Sequence, residues 1–175
     1  MKIERIEEYQ ITASTTSHIQ KLLQQAFWQF PDQRIYYKQV PHFRYLVWDE
    51  DILAAQVGVE FRIIALNNQP VRIFGIMDLC VDSEYRSQNI GSNLLEKIEA
   101  EGLKHNIDFI LLFAGDQRIY KNQGYQQVNN TCKWLLINNH QSLGVVHRNI
   151  NLMVKQLGFK QWKEGVLADL LGFVF

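Results

Sequence analysis

The sequence predicts an α+β fold, layered as α/β, in which a mixed sheet carries helices on both faces. Three observations predict it. Between Phe43 and Val81, three strand-like runs follow one another with only short polar turns between them, the pattern of an antiparallel meander. The last run leads into an amphipathic segment and then into the short, continuous apolar run Phe109–Phe113, as in a βαβ unit with a buried parallel strand. A second amphipathic segment precedes the meander. With 175 residues, of which 47% are hydrophobic, the chain is long enough for one domain with its own core. Residues 1–175 are read as a single domain, with 142–175 as an extension packed on it.

Element by element, Ile3 to Ile11 mixes apolar and charged residues and reads as an edge strand. Thr12 to Ser17 is a hydroxyl-rich cap region, and Ile19, Leu22, Leu23, Ala26 and Phe27 then recur at helical spacing, predicting a helix from about Ser17 to Gln29, closed by Pro31. Asp32 to Pro41 is an aromatic and basic connection. The meander comprises Phe43–Trp48, Ile52–Leu66 and Val71–Val81, separated by turns at Asp49-Glu50-Asp51 and Asn67-Asn68-Gln69-Pro70. After the polar loop Asp82–Asn89, the residues Ile90, Leu94, Leu95, Ile98 and Leu103 mark a helix to about His105. Asp116 is a suitable N-cap for a short helix ending at Gly124. Thr131–Asn138 and Ile150–Val154 read as strands, and Leu167–Phe175 is too apolar to hang in water, so it packs on the domain or on a second copy in a homodimer.

Composition narrows the function. Lys+Arg and Asp+Glu number 18 each, so the basic excess of a typical nucleic-acid binder is missing. Cys80 and Cys132 form no CxxC pair, and no His/Cys run has metal-ligand spacing, so no metal is expected. Charges in Met1-Lys2-Ile3-Glu4-Arg5 argue against a signal peptide, and no window approaches a membrane span, so no membrane partner is expected. The expected setting is soluble, reducing and cytoplasmic.

The segment Arg86-Ser87-Gln88-Asn89-Ile90-Gly91-Ser92 is the most informative. It links a strand to the start of a helix, where unpartnered N–H groups and the helix dipole favour an anion. Gly91 has no Cβ to keep a phosphate from the backbone, Asn89 tolerates left-handed angles, and Arg86 offers a charged contact. Taken alone, the loop fits an ordinary helix start equally well.

With its flanks, Val81 to Ser92 followed by Leu94-Leu95 resembles the acyl-CoA pyrophosphate signature of the GNAT superfamily, written Arg/Gln-x-x-Gly-x-Gly/Ala. Arg86 and Gly91 fit its ends, and Asn89 replaces its first glycine. Ile119-Tyr120-Lys121-Asn122-Gln123-Gly124-Tyr125 resembles a later motif of the same family, with Ile119 in place of an aromatic. Many members carry Asn near the end of the preceding strand, where this chain has Phe113-Ala114-Gly115-Asp116. The resemblance implies a GNAT-like mixed, twisted central sheet of about seven strands with helices on both faces. It also implies acetyl-CoA as co-substrate and transfer of its acetyl group to a primary amine. Within the superfamily, the spacing looks most like the aminoglycoside 2′-N-acetyltransferases, and the nodulation acyltransferases are similar in outline.

The implied site residues follow. The end of the third meander strand, Leu79, Cys80 and Val81, would hold the pantetheine arm through backbone groups. Arg86, Ser87, Gln88, Asn89, Ile90, Gly91 and Ser92 would hold the pyrophosphate. Tyr120 matches the residue that many GNAT enzymes use as general acid to the departing thiolate, although a tyrosine at that spacing also suits ordinary packing.

From the residues themselves, an attacking amine of pKa roughly 10.4 needs help to lose its proton at neutral pH. Strict alternation along Val71–Val81 puts Ile73, Gly75, Met77, Leu79 and Val81 on one face and Phe74, Ile76, Asp78 and Cys80 on the other. Asp78, the lone acid in the inner half of this strand, is a candidate base, or it pairs with Arg62 or another cation. Glu60 is the alternative base. In the aminoglycoside-modifying relatives an acid stands at the position of Met77. Cys80 suits a small buried hydrophobe better than a nucleophile. The resemblance implies an acceptor site between Trp28 and His42 and near the last residues, where Tyr36, Tyr37 and Trp48 are candidate walls and Asp32, Glu60, Asp116 and the Phe175 carboxylate candidate attractants. Two rival readings stay open: a transferase for longer acyl chains, needing a channel at Gly58, and a non-catalytic acyl-CoA-binding module.

Overall fold

The computed structural model describes residues 1–175. Strand β1 (Lys2–Glu7) is shorter than the run to Ile11, because Glu8–Gln10 wind into one 3-10 turn. Helix α1 (Ala13–Ala26) starts before Ser17 and stops short of Gln29. Its cap is Thr12, whose Oγ1 accepts from Thr15 N at 3.2 Å, while the hydroxyls of Thr16 and Ser17 donate to carbonyls one turn back. The hydroxyls that suggested a cap region are thus spent inside the helix. The meander is β2 (Phe43–Asp49), β3 (Ile52–Leu66) and β4 (Gln69–Val81), the last including two residues expected in the turn.

Helix α2 (Ile90–Lys104) and strand β5 (Phe109–Phe113) complete the βαβ unit. In helix α3 (Arg118–Asn122) Gln117 takes the N-cap position without a side-chain hydrogen bond, and Asp116, one residue earlier than a standard cap, accepts from Arg118 N through its Oδ1 at 3.1 Å. The remainder is all strand: β6 (Gln126–Gln127), β7 (Thr131–Asn138), β8 (Gln141–Asn149), β9 (Leu152–Gln156) and β10 (Ala168–Phe173).

These form one ten-stranded sheet, ordered β6-β9-β5-β4-β3-β10-β7-β8, with β1 and β2 joined to it through β3. The count exceeds seven for physical reasons. β6 is only two residues long, and β8 is an almost wholly exposed edge strand without apolar alternation. The last residues do not lie on the sheet as an extension but enter it: β9 sits between β6 and β5, and β10 between β3 and β7. No helix is long and apolar enough to cross a membrane.

The meander strands alternate between two cores. Phe43, Tyr45 and Val47 face α2, where Ile90, Leu94, Leu95 and Ile98 cover them. Leu46, Leu53 and Cys80 face the opposite side, under Ile19, Leu22 and Leu23 of α1. A third cluster continues toward β7 and β10 through Ile73, Phe109, Leu111, Trp134 and Leu170. Covering both faces with apolar side chains drives the sheet and its helices together.

Candidate active site

The site begins with a fault in β4. Its parallel ladder with β5 runs from Ile73↔Phe109 to Gly75↔Leu111 and goes no further, so the two strands part. On the other edge, β4 pairs with β3 through Gly58↔Met77 and resumes at Gln56↔Cys80. Asp78 and Leu79 therefore oppose Val57 alone, which makes a β-bulge. Asp78 takes a left-handed backbone, φ 50°. The extra residue overturns the strict alternation expected for this strand. Leu79 and Val81 join Phe74 and Ile76 on the α2 side, while Cys80 turns to the α1 side.

A buried polar network holds the bulge. Arg44, 1% exposed, donates to Glu8 Oε2 at 2.7 Å, Gln56 Oε1 at 2.8 Å and the Ile35 carbonyl at 2.7 Å. Gln56, itself buried, then donates its amide to the Asp78 carbonyl and lies 3.8 Å from Cys80 Sγ. The sequence reading missed this network. Its signal was there: a lone Arg in Phe43–Asp49 and a lone Gln near the centre of the apolar half of β3.

Where β4 and β5 part, a cleft of about 290 Å³ opens, lined by Phe27, Met77, Asp78, Leu79, Phe113, Tyr120, Phe175 and their neighbours. Gly75 lies beneath Phe175, one of the residues that line it. A Cβ there would stand 2.7 Å from the Phe175 ring, so only glycine lets that ring lie over β4. The Asp78 carboxylate accepts no hydrogen bond from the protein. Burial raises its pKa above the ordinary range, and Arg44 and Lys38 pull it back. Tyr120, half-buried, is pushed up to about 12 by burial first and by Asp116 and Cys80 next. Cys80 is also pushed up to about 12, chiefly by burial, which makes it a poor nucleophile.

The Arg86–Ser92 loop meets α3, which carries Tyr120 of the cleft, through Gly91 and Ile119. Asn89 is the N-cap of α2 in a left-handed conformation, φ 59°, and caps nothing with its side chain. The first N–H groups of the helix thus have no side-chain partner. Arg86, Ser87, Gln88 and Asn89 are exposed, Ser92 is half-buried, and Ile90 and Gly91 are buried. Gly91 serves packing as well as access: a Cβ there would stand 2.7 Å from Ile119 Cδ1. The two sequence motifs therefore touch, with Ile119 over Gly91 and Tyr120 next along α3.

Other expectations fare differently. Arg62 binds Glu60 and not Asp78, and the same guanidinium donates to the Phe173 carbonyl at 2.6 Å, so Glu60 is a tethered ion-pair partner, 5% exposed. Asp116 is held down to about 2 by hydrogen bonds from Arg118. Asp32 is exposed and accepts from Gln24 at 3.1 Å. Trp48 packs against His18 of α1, and Tyr37 donates to the Gln29 carbonyl at 2.7 Å, so neither lines the cleft. Tyr36 lies against His140 of the β7–β8 turn, the rings tilted at 56° and the hydroxyl 3.2 Å from Nε2. Above Gly58, the space expected for a channel is filled by Pro41, 3.1 Å from where a Cβ would be. No group of three or more His, Cys, Asp or Glu side chains is arranged to hold a metal ion.

Comparison with known proteins gives a family to this arrangement of parted central strands, a bulge at the parting and a nearby helix N-terminus. The family description "Acetyltransferase (GNAT) domain" matches residues 9–128, more than half of the chain. The chain belongs to the GNAT acetyltransferase family. No curated protein matches it.

Many solved structures share its fold. A GCN5-related N-acetyltransferase from Anabaena variabilis superposes with a TM-score of 0.59 at 18% identity, over 75% of this chain. The chain spans about a third of that protein's length, 34%. The GNAT family N-acetyltransferase YhbS from Escherichia coli, solved in complex with CoA, gives a TM-score of 0.62 at 16% identity, covering 96% of this chain and 89% of that one. An acyl-CoA N-acyltransferase from Pseudomonas aeruginosa gives 0.59 at 15% identity, covering 88% and 98%.

Proposed function

We propose that the chain is an acetyl-CoA-dependent N-acetyltransferase that moves the acetyl group to a primary amine of a small molecule by direct attack. The observation that carries this reading is the bulged end of β4, unpaired on its β5 side, with Asp78 and Tyr120 lining one cleft and Ile119 against Gly91 joining that cleft to the start of α2. The residues suit acetyl-CoA. The unpartnered N–H groups at the start of α2, with Arg86, Ser87, Gln88 and Asn89 around them, suit a pyrophosphate. Beyond Gly75 the backbone of β4 has no partner in β5, so Leu79, Cys80 and Val81 have groups free for a pantetheine arm. The CoA complex of YhbS supports such a site on this fold.

The chemistry follows from the side chains. Asp78, directly or through a water, takes the proton of the attacking amine, and its raised pKa makes it a stronger base than an exposed carboxylate. An N–H at the bulge stabilises the negative charge that develops on the thioester oxygen. Tyr120 is fully protonated at neutral pH and donates to the departing sulfur. Complete transfer from a phenol near 12 to a thiolate near 8.5 is uphill by roughly 5 kcal/mol, so the hydrogen bond itself supplies most of the stabilisation. The test is thiol release from acetyl-CoA with a panel of primary amines. Release that requires both donor and amine supports the reading; tight donor binding without release with any amine, including longer acyl donors, reduces the chain to a binding module.

A further inference from the structure

We propose that Phe175 is the stop that sets acyl-chain length, so that the site takes acetyl or a comparably short acyl group from CoA and rejects longer ones. The inference rests on the acetyltransferase reading above and names the donors that this site accepts.

The ring of Phe175 lies across the parting of the two central strands. On β4 it covers Gly75, whose pairing with Leu111 is the last rung of the ladder with β5, and a Cβ at Gly75 would stand 2.7 Å from the ring. On β5 it meets Phe113, just beyond that rung, with ring centroids 5.3 Å apart. The ring therefore covers the closed end of the cleft, which it lines together with Met77, Asp78 and Tyr120. The loop suited to the pyrophosphate follows β4 at its other end, beyond Val81. Along β4 the order is thus Phe175 over Gly75, then the bulge at Asp78 and Leu79, then the phosphate loop. A CoA held by that loop, with its thioester at the bulge, would direct its acyl chain toward Phe175. An acetyl group ends there after one methyl, and each further methylene brings the chain nearer the ring. Specificity of this kind comes from a clash built against the longer donor.

The chain spends several contacts on keeping the ring in place. β10 pairs with β3 only at Ala168↔Leu66 and Asp169↔Ala65, Leu171 then takes a left-handed backbone, φ 50°, and Gly172 and Phe175 lie against Arg62 of β3 and Gly75 of β4. Arg62 stands in for the missing ladder. Its guanidinium donates to the carbonyls of Leu170 at 3.3 Å and Phe173 at 2.6 Å, and it lies over the Phe173 ring, 4.4 Å from the centroid. Glu60 binds the same guanidinium through Nε and Nη2, and the two side chains are only 11% and 6% exposed. A buried ion pair adds little net stability. What this one supplies is a fixed guanidinium, which holds Phe173 and, two residues on, Phe175, and so sets how deep the cleft runs. Arg62 is thus a positioning residue for Phe175.

The test is isothermal titration of the protein with CoA and with acetyl-, butyryl-, hexanoyl- and octanoyl-CoA, followed by thiol release from the same donors with a panel of primary amines. Wild type is expected to bind hexanoyl-CoA about 10- to 100-fold more weakly than acetyl-CoA. Phe175→Ala is expected to raise the hexanoyl-to-acetyl affinity ratio by about 10-fold, with Phe175→Leu in between. Arg62→Met combined with Glu60→Gln, which frees the segment without leaving a lone buried charge, is expected to move the ratio the same way. Circular dichroism shows whether the variants are folded, and a general loss of affinity cancels from a ratio of two donors on one protein. Hexanoyl-CoA bound and used by wild type as well as acetyl-CoA, or a ratio that Phe175→Ala leaves unchanged, overturns the stop and leaves the acetyltransferase standing. A ratio unmoved in the Arg62→Met, Glu60→Gln variant overturns the positioning role of Arg62. No binding of any acyl-CoA overturns the stop and the acetyltransferase reading together.

Discussion

Replacing Arg44 by methionine probes the link between the core and the site. Arg44 makes four hydrogen bonds: two to Glu8, at 2.7 and 3.1 Å, one to Gln56 at 2.8 Å and one to the Ile35 carbonyl at 2.7 Å. Methionine fills much of the volume but leaves the Glu8 carboxylate, 10% exposed, without its counter-charge. Breaking a buried pair from one side costs about 3–5 kcal/mol, a large share of the 5–15 kcal/mol typical of a domain. For a chain of this length, that lowers Tm by roughly 6–20 °C.

The readouts are urea unfolding followed by tryptophan fluorescence and a thermal melt. Because Glu8 is the orphaned partner, adding Glu8→Gln to Arg44→Met should restore part of the loss. The same substitution removes a positive charge that lowers the Asp78 pKa, so the acid limb of the kcat/KM profile should move to higher pH. A destabilisation below about 1 kcal/mol, or an Arg44→Met, Glu8→Gln double variant no more stable than the single one, would refute the reasoning.

Two further predictions concern the site. Burial raises Asp78 above the ordinary carboxylate pKa of about 3.9. As pH climbs, the unfolded chain ionises first, so this group subtracts stability from there through its folded pKa. Asp78→Asn should therefore be more stable than wild type at pH 7, with the gain vanishing below about pH 4, while kcat/KM falls by about 100-fold; melts at the two pH values check the sign, and a less stable variant at pH 7 contradicts it. Gly91→Val pushes side-chain atoms into Ile119, so it should cost about 1–3 kcal/mol and weaken acetyl-CoA binding. Calorimetry checks this, with Ile119→Ala in the same chain recovering stability.

Much of the fold was legible because its apolar residues follow the periods of helix and strand. The meander and the helix carrying Leu94, Leu95 and Ile98 are in this class. The bulge at Asp78 was not legible: β4 is apolar on both faces, and a slip of one residue leaves no mark in such a pattern. β8 escaped because its exposed edge has no face to bury. The long apolar end of the chain announced burial but not its location, since pairing with β3 and β7 is a long-range choice. In the site, the loop and Tyr120 were readable from motifs.

The central claim is direct transfer of an acetyl group from acetyl-CoA to an amine, with Tyr120 serving the leaving sulfur. A rapid-quench single turnover tests it most directly, with protein in excess over acetyl-CoA, an acceptor amine present, and both amide product and intact protein followed by mass spectrometry. The expected result is amide forming in one phase with no acetylated protein on the way, and Tyr120→Phe slowing that phase by about 100-fold with donor affinity unchanged. Acetyl appearing first on the protein, at Cys80 or elsewhere, or a Tyr120→Phe variant as fast as wild type, would contradict the account.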